Sequence, residues 1–230
     1  MRLVLLAMLP ACSLYFGSST GGGGGSGGLW VASRNEPGDY YAIADVWIDH
    51  YDANLAQLSE WHSADDYTTV QGLAFTGDAL WVNYNELGTC NCHVRALDPS
   101  TGTELGRFAT DHGITGLTYD GSELLLSYAW SEVIAMNPTT GAQDWTISTP
   151  LGEGGTQVGL AYQAGNIWIA TYWSDELYVI DEKGHTTGSA YTSLLPGDPG
   201  DEQDQIAWVD ASTLVIVADN QMTWVAVHPR

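Results

Sequence analysis

The chain has 230 residues, enough for one domain with a sizeable core. Lys and Arg number 6 against 28 Asp and Glu, a formal net charge of −22, and Lys183 is the single lysine. Such a field repels phosphate backbones, which excludes nucleic acid as a partner and favours cations, amines and Ca²⁺, although an acidic surface also serves plain solubility.

Met1 to Met8 carries one positive charge and an apolar run too short to cross a bilayer, which reads as a signal segment. Leu9-Pro10-Ala11-Cys12 follows and resembles a bacterial lipobox. The resemblance implies cleavage after Ala11 and lipidation of Cys12, and Ser13 behind it implies the outer membrane of a Gram-negative cell. The other reading makes Cys12 a plain residue of a cleaved leader. From Gly17 to Gly28 the chain is Gly and Ser with one Thr, the composition of a flexible tether. Residues 1–12 are thus expected as the signal segment, 13–28 as the tether and 29–230 as the folded domain.

Within that domain one phrase recurs. Gly72-Leu-Ala-Phe75 leads into Leu80-Trp81-Val82, Gly116-Leu-Thr-Tyr119 into Leu124-Leu125-Leu126, and Gly159-Leu-Ala-Tyr162 into Ile167-Trp168-Ile169. A weaker copy runs from Ile206 to Val217. The glycines stand 44 and 43 residues apart, a period that, filled with short strands, marks an all-β propeller of four-stranded antiparallel blades. Strands a to d of the first full repeat are read at Gly72–Phe75, Leu80–Tyr84, Val94–Leu97 and Glu104–Ala109. Asp98-Pro99-Ser-Thr-Gly102 and Asn137-Pro138-Thr-Thr-Gly141 join c to d, with Pro fixing φ and Gly accepting a positive one; Asp181-Glu-Lys-Gly184 is the same turn without its proline. Five units are expected, with four or six as alternatives. The first, from Leu29, lacks strand a and the last lacks d; alternatively the N-terminal strand completes the C-terminal blade. The 10 Trp and 12 Tyr are expected mainly between sheets.

Blade geometry sends the d-to-a and b-to-c loops to one face, and those loops hold the reactive side chains. The d-to-a set carries Asp66, Asp111, His112, Glu153 and Asp204; the b-to-c set adds Tyr128, Trp130, Tyr172 and Trp173. Gln71 and Gln205 line the channel mouth beside Thr115 and Gln157. Carboxylates converging there could hold Ca²⁺ through hard oxygens, or an ammonium group flanked by aromatics. Calcium is the one cofactor this set admits. Polar loops are also simply wet, and the acids read equally as solvated surface. Cys90-Asn91-Cys92-His93 lies in a b-to-c loop: after export the two cysteines are expected as a small disulfide, or with His112 or His62 as a Zn²⁺ or copper site.

Gln71-Gly-Leu-Ala-Phe75, Leu151-Gly-Glu-Gly-Gly155, Trp173-Ser-Asp-Glu-Leu-Tyr-Val-Ile-Asp181 and Leu194-Leu-Pro196 before Ile206-Ala-Trp208 together resemble the five-bladed glutaminyl cyclotransferase propellers of plants and bacteria. The likeness covers about residues 65 to 228. It implies cyclisation of an N-terminal glutamine with a carboxylate near the channel as acid and base. That family places a glutamate directly after the Leu-Tyr opening of strand b, where this chain has Leu80-Trp81-Val82. Two readings follow: a monomeric, lipid-anchored propeller binding a protein or cationic small molecule through its acidic, aromatic face without catalysis, and a cyclotransferase-like or lactonase-like enzyme with a carboxylate or calcium at the channel mouth.

Overall fold

The structure, a computed structural model, describes residues 29–35, 45–52, 56–63, 68–86, 92–111, 113–128, 131–151, 157–171, 176–191, 203–210, 213–218 and 221–226. The first sheet holds β1 (Leu29–Asn35), β2 (Asp45–Tyr51) and β3 (Gln57–Ser63). The second holds β4 (Thr68–Phe75), β5 (Leu80–Glu86), β6 (Cys92–Leu97) and β7 (Glu104–Thr110). The third runs from β8 (Ile114–Tyr119) through β9 (Leu124–Tyr128) and β10 (Glu132–Met136) to β11 (Gln143–Ser148). The fourth comprises β12 (Gln157–Gln163), β13 (Asn166–Thr171), β14 (Glu176–Asp181) and β15 (Thr186–Tyr191). A three-stranded sheet follows, β16 (Gln203–Asp210), β17 (Thr213–Ala218) and β18 (Gln221–Ala226). Each strand pairs antiparallel with the next in its sheet, and the first strands β4, β8, β12 and β16 lie side by side in that order. The protein is an all-β propeller built on four-stranded antiparallel blades. Among the described residues β1 pairs with β2, in a sheet with β3.

The core lies between sheets, which explains why the second strands read as apolar runs. In β9 all five residues are buried. Leu124 and Leu126 pack toward the second sheet with Trp81, Val94 and Leu117, while Leu125 points the other way, to Leu160, Ile167 and Ile169. A strand covered on both faces needs apolar residues at every position, because successive side chains alternate. Each such Leu or Ile contributes about 1.5–3 kcal/mol on burial. The outermost strands instead face water: in β7 only Thr110 is fully buried. Trp30 and Trp81 are buried as expected of the aromatics, but Trp47, at 36% exposed, lies on the surface with its ring tilted against His62.

Glycines set the contact between neighbouring sheets at the inner strands. A Cβ placed on Gly72 would come within 2.6 Å of the Leu117 backbone nitrogen, and one on Gly116 within 3.0 Å of the Leu160 nitrogen and 2.8 Å of Ser127 Oγ. The recurring glycine therefore marks where one inner strand lies directly against the next.

A second contact sits at the outer edge. In the turn after β6, Gly102 N donates to Asp98 O and Asp98 N to Thr103 O, while Asp98 Oδ1 accepts from the nitrogens of Ser100 and Thr101. Asn137 caps the turn after β10 in the same way. The turn after β14 is tighter: Gly184 N reaches Asp181 O across one residue fewer, so it is a shorter turn rather than a copy lacking proline. Gly102, Gly141 and Gly184 have φ of 70°, 70° and 80°. They also touch the preceding sheet, where added Cβ atoms would meet the Trp61 ring, the Phe108 ring and Ile147 respectively.

Asn83 fixes the same inter-sheet register through polarity. It is fully buried in β5, and its Nδ2 donates to Ile114 O at the start of β8, 2.7 Å away.

Two measurements test this packing. Gly72→Ala and Gly116→Ala should lower stability by at least about 1–3 kcal/mol, because a backbone cannot step aside as a side chain can. Gly106→Ala, with nothing within 4 Å of the added carbon, should leave the urea midpoint unchanged or slightly raised. Asn83→Ala should cost about 1–3 kcal/mol in the same assay by leaving the Ile114 carbonyl unpaired; an unchanged midpoint would mean the bond is not a register lock.

Candidate ligand-binding face

In the four-stranded sheets the short turns after the first and third strands lie at one end of the fold. Lys183 is there, in the turn after β14, and so is Tyr162, whose hydroxyl donates to Glu182 across 2.6 Å. Burial first, then that bond and the carboxylate charge, push the Tyr162 phenol up to about 12. The Tyr162 hydroxyl is thus tied to Glu182, and the Lys183 backbone nitrogen to Asp181 Oδ1.

The opposite end gathers groups from two sheets. Tyr128 closes β9, buried, directly opposite Glu132 on β10. Burial raises its phenol above the usual range, and the Asp111 carboxylate, the Cys92 side chain and the Glu132 carboxylate push the same way. Asp111 follows β7 and Cys92 opens β6, both in the second sheet, whereas Tyr128 and Glu132 belong to the third. Asp111 and Glu132 are exposed. The arrangement offers a phenol that stays protonated, with carboxylates from both sides of a sheet junction in reach of solvent. Opposite charge and an aromatic face are what a cationic group needs from a site. Beneath it the junction is fixed by Asn83, whose amide donates to Ile114 O across the two sheets.

Of the residues singled out from the sequence, Asp111 and Tyr128 are brought together. Gln71 lies on β4 directly before Gly72, and Asp204 and Gln205 lie on β16, so all three belong to first strands. Asp66, His112, Trp130, Glu153, Tyr172 and Trp173 lie outside the described residues, as do Cys12 and the Cys90 half of the expected disulfide. Among the described residues no group of three or more His, Cys, Asp and Glu side chains could hold a metal ion.

Cys92 and His93 depart from their expected loop. They open β6, where adjacent residues face opposite sides of the sheet, and His93 Nε2 accepts a bond from Arg95 Nε at 2.7 Å. Both side chains are buried. A single ion would have to reach both faces of one strand, and the imidazole lone pair at Nε2 is already committed, so these two residues do not form a joint metal clamp. Val82, the position after Leu80-Trp81, is fully buried in the core with Trp30, Ile48 and Leu73. The expectation of an apolar residue there is met by one that points away from solvent. Asn83 and Ser127 were not singled out from the sequence, yet both directly follow the apolar run of a second strand. A polar residue recurring at that place was the available signal.

No protein-family model matches the sequence, and no curated protein matches it. Among solved structures, the chain is similar to a glutaminyl cyclase from Myxococcus xanthus, with 14% identity and a TM-score of 0.68 over 94% of this chain and 90% of that one. It also aligns with the computationally designed Ika4 protein at 14% identity and a TM-score of 0.47, over 72% of this chain and 95% of that one. At this identity the first likeness is one of fold: a propeller resembling the glutaminyl cyclase.

Proposed function

We propose that this chain is an exported, lipid-anchored propeller of five blades that binds a cationic ligand or partner through its acidic, aromatic face, without catalysis. The observation that carries the reading is the meeting of Asp111, Cys92 and Glu132 around Tyr128, at one junction of two sheets. Buried phenol and exposed carboxylates give attraction and an apolar wall together, and the net charge of −22 draws cations toward the face at long range. Five sheets in chain order, the outer two of three strands each, support the blade count. The anchor is inferred from Leu9 to Cys12, and with it the outer membrane. A second reading, a cyclotransferase-like enzyme, draws on the fold shared with the Myxococcus glutaminyl cyclase. The buried Val82 weighs against it, since the family's carboxylate position is closed to substrate here.

Thermal unfolding in calcium chloride, methylammonium chloride and sodium chloride at matched ionic strength separates a site from a charged surface. A specific cation should raise stability by about 2.7 kcal/mol at a hundredfold excess over its dissociation constant. Sodium at equal ionic strength should do less, since it only screens. Asp111→Asn should lose most of the specific shift. Identical curves in all three salts, with the variant following wild type, would remove the reading.

The anchor is tested by fractionation. Cys12→Ser should move the protein from the membrane to the soluble fraction, because acyl chains supply the membrane affinity. Unchanged partitioning would remove the lipid anchor.

A further inference from the structure

The first sheet stops one strand short of its neighbours. Leu29-Trp30-Val31 repeats Leu80-Trp81-Val82 and Ile167-Trp168-Ile169, so β1 holds the place of β5 and β13, the second strands of their sheets. In those sheets a first strand, β4 or β12, pairs with the second; among the described residues β2 is the one strand paired with β1. Yet β1 is an interior strand, since Leu29, Trp30, Val31 and Ala32 are all buried. Backbone N–H and C=O groups along a buried edge need partners, so a strand belongs on the inner edge of β1.

The repeat specifies that strand. Every first strand carries a branched aliphatic residue, a spacer and an aromatic: Leu73-Ala74-Phe75, Leu117-Thr118-Tyr119, Leu160-Ala161-Tyr162 and Ile206-Ala207-Trp208. The aliphatic residue is buried each time, at 1–2% exposure. Upstream of β1 the pattern occurs once, at Leu14-Tyr15-Phe16, outside the described residues, and these are the only apolar residues between Cys12 and Leu29. Ser13 stands where three first strands have glycine, as Gln205 does before Ile206, and Tyr15 is larger than the usual spacer. The chain after β18 is a poorer source: it is four residues long, and Pro229 among them has no N–H to donate. We infer that Leu14 to Phe16 is the first strand of the first sheet, seated on β1 with Leu14 opposite Val31, Tyr15 opposite Trp30 and Phe16 opposite Leu29. Leu73, Ala74 and Phe75 hold that register against β5. Residues 17–28 then join a first strand to a second, with twelve residues where 76–79 and 120–123 use four. Lengthening such a loop costs little. First strands end at the short turns, so this one begins at the end that holds Asp111 and Tyr128, with Cys12 directly before it. A lipid on Cys12 would hold the candidate ligand face toward the membrane; that consequence, unlike the strand itself, rests on the proposed anchor.

Hydrogen exchange read by mass spectrometry on the exported full chain tests the strand. The amides of residues 14–16 should exchange at least about a hundredfold more slowly than those of residues 18–28, as an interior strand does beside an open loop. Leu14→Asp should remove that protection, speed exchange in β1 and lower the melting temperature, whereas Ser18→Asp should change none of the three. Cys12→Ser should leave the exchange pattern as it is, so loss of the anchor and loss of the strand are read apart. If Leu14→Asp does not fold, the wild-type pattern decides alone. Fast exchange at residues 14–16 in the wild type, or protection there that survives Leu14→Asp, overturns the inference. So does protection of β1 that depends on dimer formation in sedimentation, which makes the occupant a second copy, or on residues 227–230, which makes it the C-terminus.

Discussion

The close approach of inner strands at Gly72 and Gly116 is the constraint on which the rest of this fold depends. With a Cβ on Gly72 the next strand's backbone would be 2.6 Å away, nearer than any van der Waals contact permits. Take the glycine away and the sheets must separate at their inner edge. Trp81 and Leu125, each nine residues further on and buried against that following sheet, would then lose the contact that makes burial favourable. The glycine contributes by what it lacks, and the apolar second strand depends on the closeness it allows.

The outer edge is governed by a related contact in the opposite sense. Gly72 and Gly116 touch the following sheet, whereas Gly102, Gly141 and Gly184 touch the preceding one, at Trp61, Phe108 and Ile147. At the two junctions between four-stranded sheets, a glycine contact at the inner strand and another at the outer turn fix both the spacing and the tilt of the pair. Between them the filling varies freely: Val82 with Trp30 at one junction, Leu126 with Trp81 at the next, Ile169 with Leu125 after that. At the end opposite the short turns, Tyr128 and Thr171 occupy equivalent places of the repeat with different side chains.

Strands and turns were legible in the sequence because they are local. Leu80 onward, Glu104 onward and the Asp98 to Gly102 turn announce themselves within ten residues through alternation, proline and glycine. The side-chain caps on the turns were partly legible too, since Asp98 and Asn137 stand where such caps form. What the sequence did not expose were contacts between residues of different sheets: Asn83 with Ile114, Gly141 with Phe108, and the meeting of Asp111 with Tyr128. A period of about 44 residues says that units stack but does not say which atoms meet across the junction. The face was named by its loops.

A unit that carries its own inner glycine and its own turn glycine brings half of each junction with it. Copied whole and inserted between two existing units, it would present to each neighbour the surface that neighbour already accepts. Such a chain can lengthen or shorten by one repeat without a new interface having to arise, and its copies can then diverge at the strand ends while the contacts at the two radii hold. A fold shared at 14% identity with another propeller shows how few positions such a frame has to fix.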